Sequence, residues 1–221
     1  MSRMNEGTTA RILLVDDHPM MRRGLRDLLE LESDLEVVGE AGNGEDAIHL
    51  AQQTEPDLIL MDLNMPGIDG LETTRRMRDA DIDARIVMFT VSDEQSHVLE
   101  ALRNGADGYL LKDMDAEQLV EQIRLAATGR MALSPELTQV LAEAIRVRPK
   151  PTGQVPFSSL TKREKEVLRL IAKGQSNKMI ARKLGITEGT VKVHVKNLLH
   201  KLGLRSRVEA AVWVLENEAK G

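Results

Sequence analysis

The chain has 221 residues, of which 42% are hydrophobic and 29% are charged, so it can form one large globular domain or two small ones. It contains no cysteine, which excludes a disulfide framework, thiol catalysis and cysteine-ligated metal sites. The N-terminus lacks an apolar signal segment, and no stretch has the roughly 18 apolar residues of a membrane span. We therefore expect a cytoplasmic protein without a membrane partner.

The net charge of −5 is divided unevenly along the chain. Residues 157–221 carry 14 Lys and Arg against 6 Asp and Glu, a net of +8. The rest of the chain carries 16 basic and 29 acidic residues, a net of −13. Between the two parts, residues 146–157 ("RVRPKPTGQVPF") hold three prolines and a glycine. This pattern predicts an acidic module that an exposed linker joins to a basic, polyanion-binding module.

Short apolar runs alternate with amphipathic segments in the acidic part. The five strand candidates are residues 11–15, 35–40, 57–61, 85–89 and 108–111. Strands that alternate with helices connect by right-handed crossovers, so this order predicts a five-stranded parallel, doubly wound α/β sheet. Helices should cover both faces of the sheet, because the strands are apolar along nearly their whole length.

Polar side chains follow four of these strands, at the sheet edge where ligands bind in open α/β folds. They are Asp16 and Asp17 after the first strand, Asp62 after the third, Thr90 after the fourth and Lys112 after the fifth. Clustered carboxylates repel one another unless a cation lies among them, and Mg²⁺ prefers such oxygen ligands. Asp62 is best placed to attack a phosphoryl group, while Asp16 and Asp17 would hold the ion. Lys112 and Thr90 would then contact the phosphoryl oxygens.

Each of these residues also has a purely structural interpretation. Asp16 and Asp17 could cap the helix that follows them. Thr90 could be an ordinary strand residue, and Lys112 could be a solvated surface lysine. The occurrence of all of them at strand ends favours a shared site.

Four segments, "LLVDDHP", "LILMDLNMPGIDGLE", "VMFTVS" and "GADGYLLKDM", closely resemble the receiver domain of two-component response regulators, which has a flavodoxin-like fold. The resemblance covers residues 11–128. It implies that Asp62 accepts a phosphoryl group from a sensor histidine kinase and that Thr90 and Tyr109 rearrange afterwards. The magnesium ligands it implies are Asp17, Asp62 and the backbone carbonyl of Asn64, with Asp16 assisting.

The basic part has the pattern of a helix-turn-helix within an all-α domain of four helices. Residues 159–174 open with Thr161 and Glu164 at the spacing of a capping box. Residues 176–186 predict a second, short helix, and Thr187 is a plausible cap for the third. Two short helices joined by a tight turn are typical of a helix-turn-helix.

The third helix of this part is the candidate recognition helix. Apolar residues at three- and four-residue spacing should face the core, leaving Lys192, Val193 and Lys196 to reach base edges in the major groove. The residues expected to bind phosphates are Lys178, Lys183, Lys201 and Arg207. A solvated basic helix is the alternative interpretation.

The fourth helical segment, "SRVEAAVWVLENE", places Val208, Val212 and Leu215 on one stripe. The stripe could pack into its own domain or form a dimer contact. The segments "LTKREKEVLRLIAKG", "NKMIARKLGI" and "TVKVHVKNLLHKL" closely resemble the LuxR-type DNA-binding domain of the NarL/FixJ regulator group, over about residues 158–218. We therefore expect this domain at 158–221, preceded by a connector helix and a Pro-rich linker at 129–157.

Together these features predict a DNA-binding transcriptional response regulator that is not an enzyme. Phosphorylation of Asp62 would release the basic domain to dimerise on inverted-repeat promoter DNA. The segments "DDHPMMRRG", "LLKDM", "NKMIARKLGIT" and "SRVEAAVWV" resemble the nitrate- and nitrite-responsive members of the group, which implies control of respiration genes. The alternatives are a regulator that answers another signal, a receiver that works without phosphorylation, and a phosphatase with an aspartate nucleophile.

Overall fold

The structure is a computed structural model that describes residues 9–128, 132–133, 159–175, 177–204 and 207–218. Its strands are β1 Ala10–Val15, β2 Leu35–Ala41, β3 Leu58–Met61, β4 Arg85–Thr90, β5 Gly108–Leu111 and β6 Ala132–Leu133. The helices of the first domain are α1 Pro19–Leu29, α2 Gly44–Thr54, α3 Gly70–Asp79, α4 Gln95–Asn104 and α5 Ala116–Ala127. Those of the second domain are α6 Lys162–Ala172, α7 Asn177–Leu184, α8 Glu188–Leu202 and α9 Arg207–Glu218.

The strands form one parallel sheet in the order β2-β1-β3-β4-β5-β6. The five predicted strands are confirmed. The sixth strand, Ala132–Leu133, was not predicted, because two residues are too few to show a periodic pattern. The rest of the predicted connector and linker at 129–157 lies outside the described residues. The strand order reverses on either side of β1, which opens a crevice at the carboxyl ends of β1 and β3.

The sheet is covered on both faces, as the apolar strands predict. All four residues of β3 are buried. Successive side chains of a strand point to opposite faces, so Ile59 and Met61 belong to one core cluster and Leu58 and Leu60 to the other. Burial on both faces fixes the register of β3, and with it the position of the residue that follows the strand.

The second domain packs four helices around a separate core that includes Val191, Val195 and Trp213. The predicted capping box is confirmed: the Thr161 hydroxyl accepts from the Glu164 N–H, and the Glu164 carboxylate accepts from the Thr161 N–H. Thr187 caps α8 as predicted. None of the helices in the described ranges is long and apolar enough to cross a membrane.

Candidate functional site

A buried lysine joins two carboxylates at the carboxyl edge of the sheet. Lys112 Nζ, after β5, lies 2.6 Å from Asp16 Oδ2 and 2.8 Å from Asp62 Oδ2. All three side chains are less than a tenth exposed. The backbone fixes Asp62 as well, because its N–H donates to the Val15 carbonyl at 2.8 Å and its Oδ1 accepts from the Leu63 N–H at 2.8 Å. The predicted convergence of these strand-end residues is therefore present.

The surroundings shift the pKa values of two of these groups. Burial raises the pKa of Asp62, and the Lys112 ammonium opposes this shift. Burial would lower the pKa of Lys112, but its close pairing with the Asp16 and Asp62 carboxylates outweighs burial and leaves the pKa raised. Lys112 therefore stays charged near neutral pH and offsets part of the negative charge of the pocket.

The oxygen atoms beside this lysine can hold a hard cation. Ligand atoms of Asp16, Asp17, His18 and Asp62 all lie within 4.8 Å of one another. Asp16 Oδ2 and Asp17 Oδ1 are buried and accept no hydrogen bond of normal geometry, although Lys112 Nζ and His18 Nδ1 each lie 2.6 Å from one of them. Buried carboxylate oxygens with free lone pairs fit Mg²⁺, which takes oxygen ligands and keeps several waters.

Helix capping does not account for the two aspartates after β1. The N-cap residue of α1 is His18, which makes no side-chain capping bond, and Asp16 Oδ1 accepts from the His18 N–H at 2.8 Å. Asn64, whose carbonyl was an expected metal ligand, lies exposed in the loop after β3.

A glycine allows α3 to start directly against the end of β3. A β-carbon at Gly70 would lie 2.1 Å from the carbonyl oxygen of Asp62, closer than any side chain permits. The Gly70 N–H donates to the Leu63 carbonyl at 2.8 Å, which ties the loop back on itself. Only glycine keeps α3 this close without displacing the Asp62 backbone.

The two predicted switch residues meet at Ser92. The Ser92 N–H donates to the Thr90 hydroxyl oxygen at 3.3 Å, and the Tyr109 hydroxyl donates to the Ser92 carbonyl at 2.8 Å. Thr90 and Tyr109 are both fully buried. Burial raises the pKa of Tyr109 to about 12, so its hydroxyl remains a donor across the physiological range.

The candidate recognition helix α8 exposes the side chains predicted to read DNA. Lys192 and Lys196 are 55% and 60% exposed, and Val193 is 58% exposed. Both lysines reach the loop between α3 and β4: Lys196 Nζ lies 2.6 Å from Asp81 Oδ2, and Lys192 Nζ lies 3.6 Å from Asp83 Oδ2. In this arrangement, carboxylates of the first domain form ion pairs with two lysines of the candidate recognition helix.

The residues expected to bind phosphates lie in different settings. Lys183 is exposed, whereas Lys201 Nζ lies 2.9 Å from both carboxylate oxygens of Glu164. Arg207 donates to the Gln175 carbonyl at 2.7 Å and to the Asn177 side chain. Burial and the nearby Arg85 lower the pKa of Arg207 to about 10. The side chains of Lys178, Val208, Val212 and Leu215 lie outside the described residues.

Comparison with known proteins places both halves of the chain. Residues 12–124 match the response regulator receiver domain, and residues 158–214 match the bacterial regulatory proteins of the luxR family. The chain is 54% identical to the nitrate/nitrite response regulator protein NarL of Escherichia coli strain K12, over 96% of this chain and 97% of that protein. The chain belongs to the NarL-like two-component response regulators. The protein NarP of the same strain is 49% identical, over 96% and 98% of the two chains.

A solved structure agrees with this family. The LuxR-family two-component response regulator from Aurantimonas sp. SI85-9A1 is 44% identical and covers 63% of this chain and 99% of its own length, with a TM-score of 0.59. From the two family matches and the fold, the NarL-like chain consists of a receiver with a parallel sheet, followed by a helix-turn-helix DNA-binding domain.

Four residues of the sites were not predicted from the sequence. They are His18 in the acidic cluster, Ser92 between the switch residues, and Asp81 and Asp83 against the recognition helix. The "DDHP" segment could have indicated His18, because it adjoins the acidic pair. The other three lie in loops without periodicity, and only their partners in space give them a role.

Proposed function

We propose that Asp62 accepts a phosphoryl group from a sensor histidine kinase. The observation that carries the proposal is Lys112 Nζ, which lies between the buried carboxylates of Asp16 and Asp62 at 2.6 and 2.8 Å. An Asp62 oxygen attacks phosphorus, a phosphorus–oxygen bond forms, and the bond from phosphorus to the kinase histidine nitrogen breaks. The Lys112 ammonium and the Thr90 hydroxyl contact the phosphoryl oxygens and stabilise their negative charge.

We further propose a Mg²⁺ requirement. The residues that would hold the ion are Asp16, Asp17, Asp62 and the backbone carbonyl of Asn64. When bound, the ion supplies positive charge to the oxygens of the transferred group. The donor set supports this choice, because it consists of oxygen atoms except for the exposed His18 ring.

The same residues argue for a switch rather than an enzyme. Phosphatases with an aspartate nucleophile use a second acidic residue two positions later as general acid, and Asn64 stands there in this chain. The N–H protons of an amide side chain are too weakly acidic for general acid catalysis at neutral pH, so hydrolysis of phosphoryl-Asp62 should be slow.

Labelling with acetyl phosphate and Mg²⁺ tests these proposals. We expect one stable phosphoryl group per wild-type chain and none on Asp62→Asn. Asp113→Asn makes the same chemical change at an exposed aspartate beside Lys112 and should label normally. Rapid multiple turnover would instead indicate a phosphatase, and an unlabelled wild type would indicate a receiver that works without phosphorylation.

We propose that α8 reads double-stranded DNA through Lys192, Val193 and Lys196. Lysine ammonium groups can donate to guanine acceptors, and a valine can contact a thymine methyl group. A homodimer would place two such helices on an inverted repeat, since half-site symmetry follows dimer symmetry. The exposure of all three side chains supports this role.

We propose that the unphosphorylated receiver masks this helix. The ion pairs of Lys196 with Asp81 and of Lys192 with Asp83 support the proposal, because they occupy lysines that DNA phosphates or bases would otherwise contact. Phosphorylation would favour a second receiver conformation in which this docking is weaker, so the helix becomes free to bind DNA.

The names of the relatives suggest the signal. We infer that the chain controls nitrate and nitrite respiration genes, with sensing by the partner kinase. A regulator of the same group that answers another signal is the alternative. Selection of bound DNA from the genome by the phosphorylated chain tests the inference, which fails if no respiration promoter is recovered.

A further inference from the structure

Three of the hydrogen bonds of Ser92 lead to three different elements. Its N–H meets the Thr90 hydroxyl at the end of β4, and its carbonyl accepts from Tyr109 on β5. Its hydroxyl lies 2.7 Å from Nδ1 of His97, in the first turn of α4. The first two contacts belong to the predicted switch, and the third connects that switch to a helix.

The loop around Ser92 is exposed, and its other link to the His97 ring is long: Glu94 Oε2 lies 3.9 Å from His97 Nε2. Val91 is 76% exposed, and Asp93 and Glu94 are exposed as well. The one other contact of the Ser92 hydroxyl, from the Glu94 N–H, is 3.4 Å long and therefore weak. The position of the Ser92 backbone consequently depends on its bonds to Thr90, Tyr109 and His97.

His97 lies in the first turn of α4, next to a residue that anchors this helix to the core. The His97 N–H donates to the Glu94 carbonyl at 3.0 Å, and the next residue, Val98, is completely buried in the core. The α4 backbone thus fixes the position of the His97 Cα, and the imidazole ring extends from there to the Ser92 hydroxyl. A side chain locked onto a helix in this way can hold a loop in one position.

We propose that His97 is a positioning residue of the receiver switch and acts through Ser92. By holding the Ser92 hydroxyl, it keeps the Ser92 carbonyl facing the Tyr109 hydroxyl and the Ser92 N–H facing Thr90. Tyr109 is buried and needs this acceptor, because burying a hydroxyl without a hydrogen-bond partner destabilises the conformation in which it is buried. Loss of the His97 contact therefore shifts Tyr109 from the buried position towards a solvent-facing one.

The sequence provides a probe for this shift, because the chain contains one tyrosine. Incorporation of 3-fluorotyrosine into the full chain gives a single fluorine resonance that reports the surroundings of Tyr109. His97→Leu and His97→Asn form a matched pair: the two new side chains have nearly the same size, but only the asparagine amide can hydrogen-bond near the position of Nδ1.

We expect His97→Leu to raise the ratio of solvent-facing to buried Tyr109 about fivefold, the factor that one lost hydrogen bond typically gives. His97→Asn should keep the wild-type resonance. Ser92→Ala should reproduce the His97→Leu spectrum, and the double variant should show no further change, since both substitutions remove the Ser92–His97 hydrogen bond. The 3.9 Å contact of His97 with the exposed Glu94 carboxylate, lost only in His97→Leu, contributes little. The proposal is overturned if His97→Leu leaves the resonance unchanged, or if His97→Asn moves it as far as His97→Leu does.

The inference rests on the proposed function only in assigning Thr90 and Tyr109 to the switch. The resonance is recorded without phosphorylation, and the same series in an Asp62→Asn background should give the same shifts. A failure of Asp62 labelling would thus leave this test intact. Conversely, an unchanged His97→Leu spectrum would reject the positioning role without affecting the phosphoacceptor.

Discussion

The two domains use their lysines in opposite ways. Lys112 of the receiver is 8% exposed and forms ion pairs with Asp16 and Asp62. Lys192 and Lys196 of the recognition helix are more than half exposed and contact carboxylates of the other domain. Lys196 lies as close to Asp81 as Lys112 lies to Asp16, at 2.6 Å, yet the surroundings of the two pairs differ.

This difference in burial decides what each contact can do. Breaking a buried ion pair leaves an uncompensated charge and costs about 3–5 kcal/mol, so we expect Lys112 to stay in the proposed phosphoacceptor site, paired with Asp16 and with either Asp62 or its phosphoryl group. Exposed pairs contribute about 0–1 kcal/mol each, so the Lys196–Asp81 and Lys192–Asp83 contacts can be exchanged for DNA at little cost. A receiver that is switched by phosphorylation needs both a stable buried site for the phosphoryl group and exposed contacts with the other domain that break easily.

The largest effect should come from the buried lysine. Lys112→Met removes the cation that faces the phosphoryl oxygens, and we expect the rate of Asp62 labelling by acetyl phosphate to fall about a hundredfold. Lys183→Met, at an exposed lysine, should label at the wild-type rate. A Lys112→Met rate within twofold of wild type would mean that the buried pair is purely structural.

An intermediate effect on DNA affinity should distinguish Lys196 from Lys201, two lysines of α8. Lys196→Ala removes a candidate base contact, and we expect the phosphorylated chain to lose about tenfold in DNA affinity. Lys201→Ala should lose much less, because Lys201 is paired with Glu164 in its own domain. Titration of both variants with a DNA site recovered in the genomic selection would measure the two affinities. Equal losses would contradict the different roles of Lys196 and Lys201.

The smallest effect should come from the contacts between domains. The double variant Asp81→Asn with Asp83→Asn removes two exposed ion pairs, so the unphosphorylated chain should gain about fivefold in DNA affinity. This gain should shrink as salt is raised, because salt screens exposed charges. Asp79→Asn is the matched control, since Asp79 pairs with Arg75 on α3. If the control gains as much as the double variant, masking by the two aspartates is wrong.

Much of the fold followed from local patterns. The strands around Asp62 were predictable because burial on both faces requires a nearly continuous apolar run, as β3 shows. The start of α6 was predictable because Thr161 and Glu164 satisfy each other's backbone groups over three residues. Strand β6 escaped prediction because its pairing with β5 depends on a distant partner rather than on its own sequence.

The sequence by itself determined which chemical groups stand at the strand ends and which lysines face outward on α8. These features depend on alternation and helical spacing, which are properties of a short segment. Tertiary structure alone decided that Lys201 pairs with Glu164, that Arg207 holds the start of α7, and that Ser92 connects His97 to Tyr109. Each of those contacts joins residues on different elements or in loops, where no repeating pattern records which partner lies close in space.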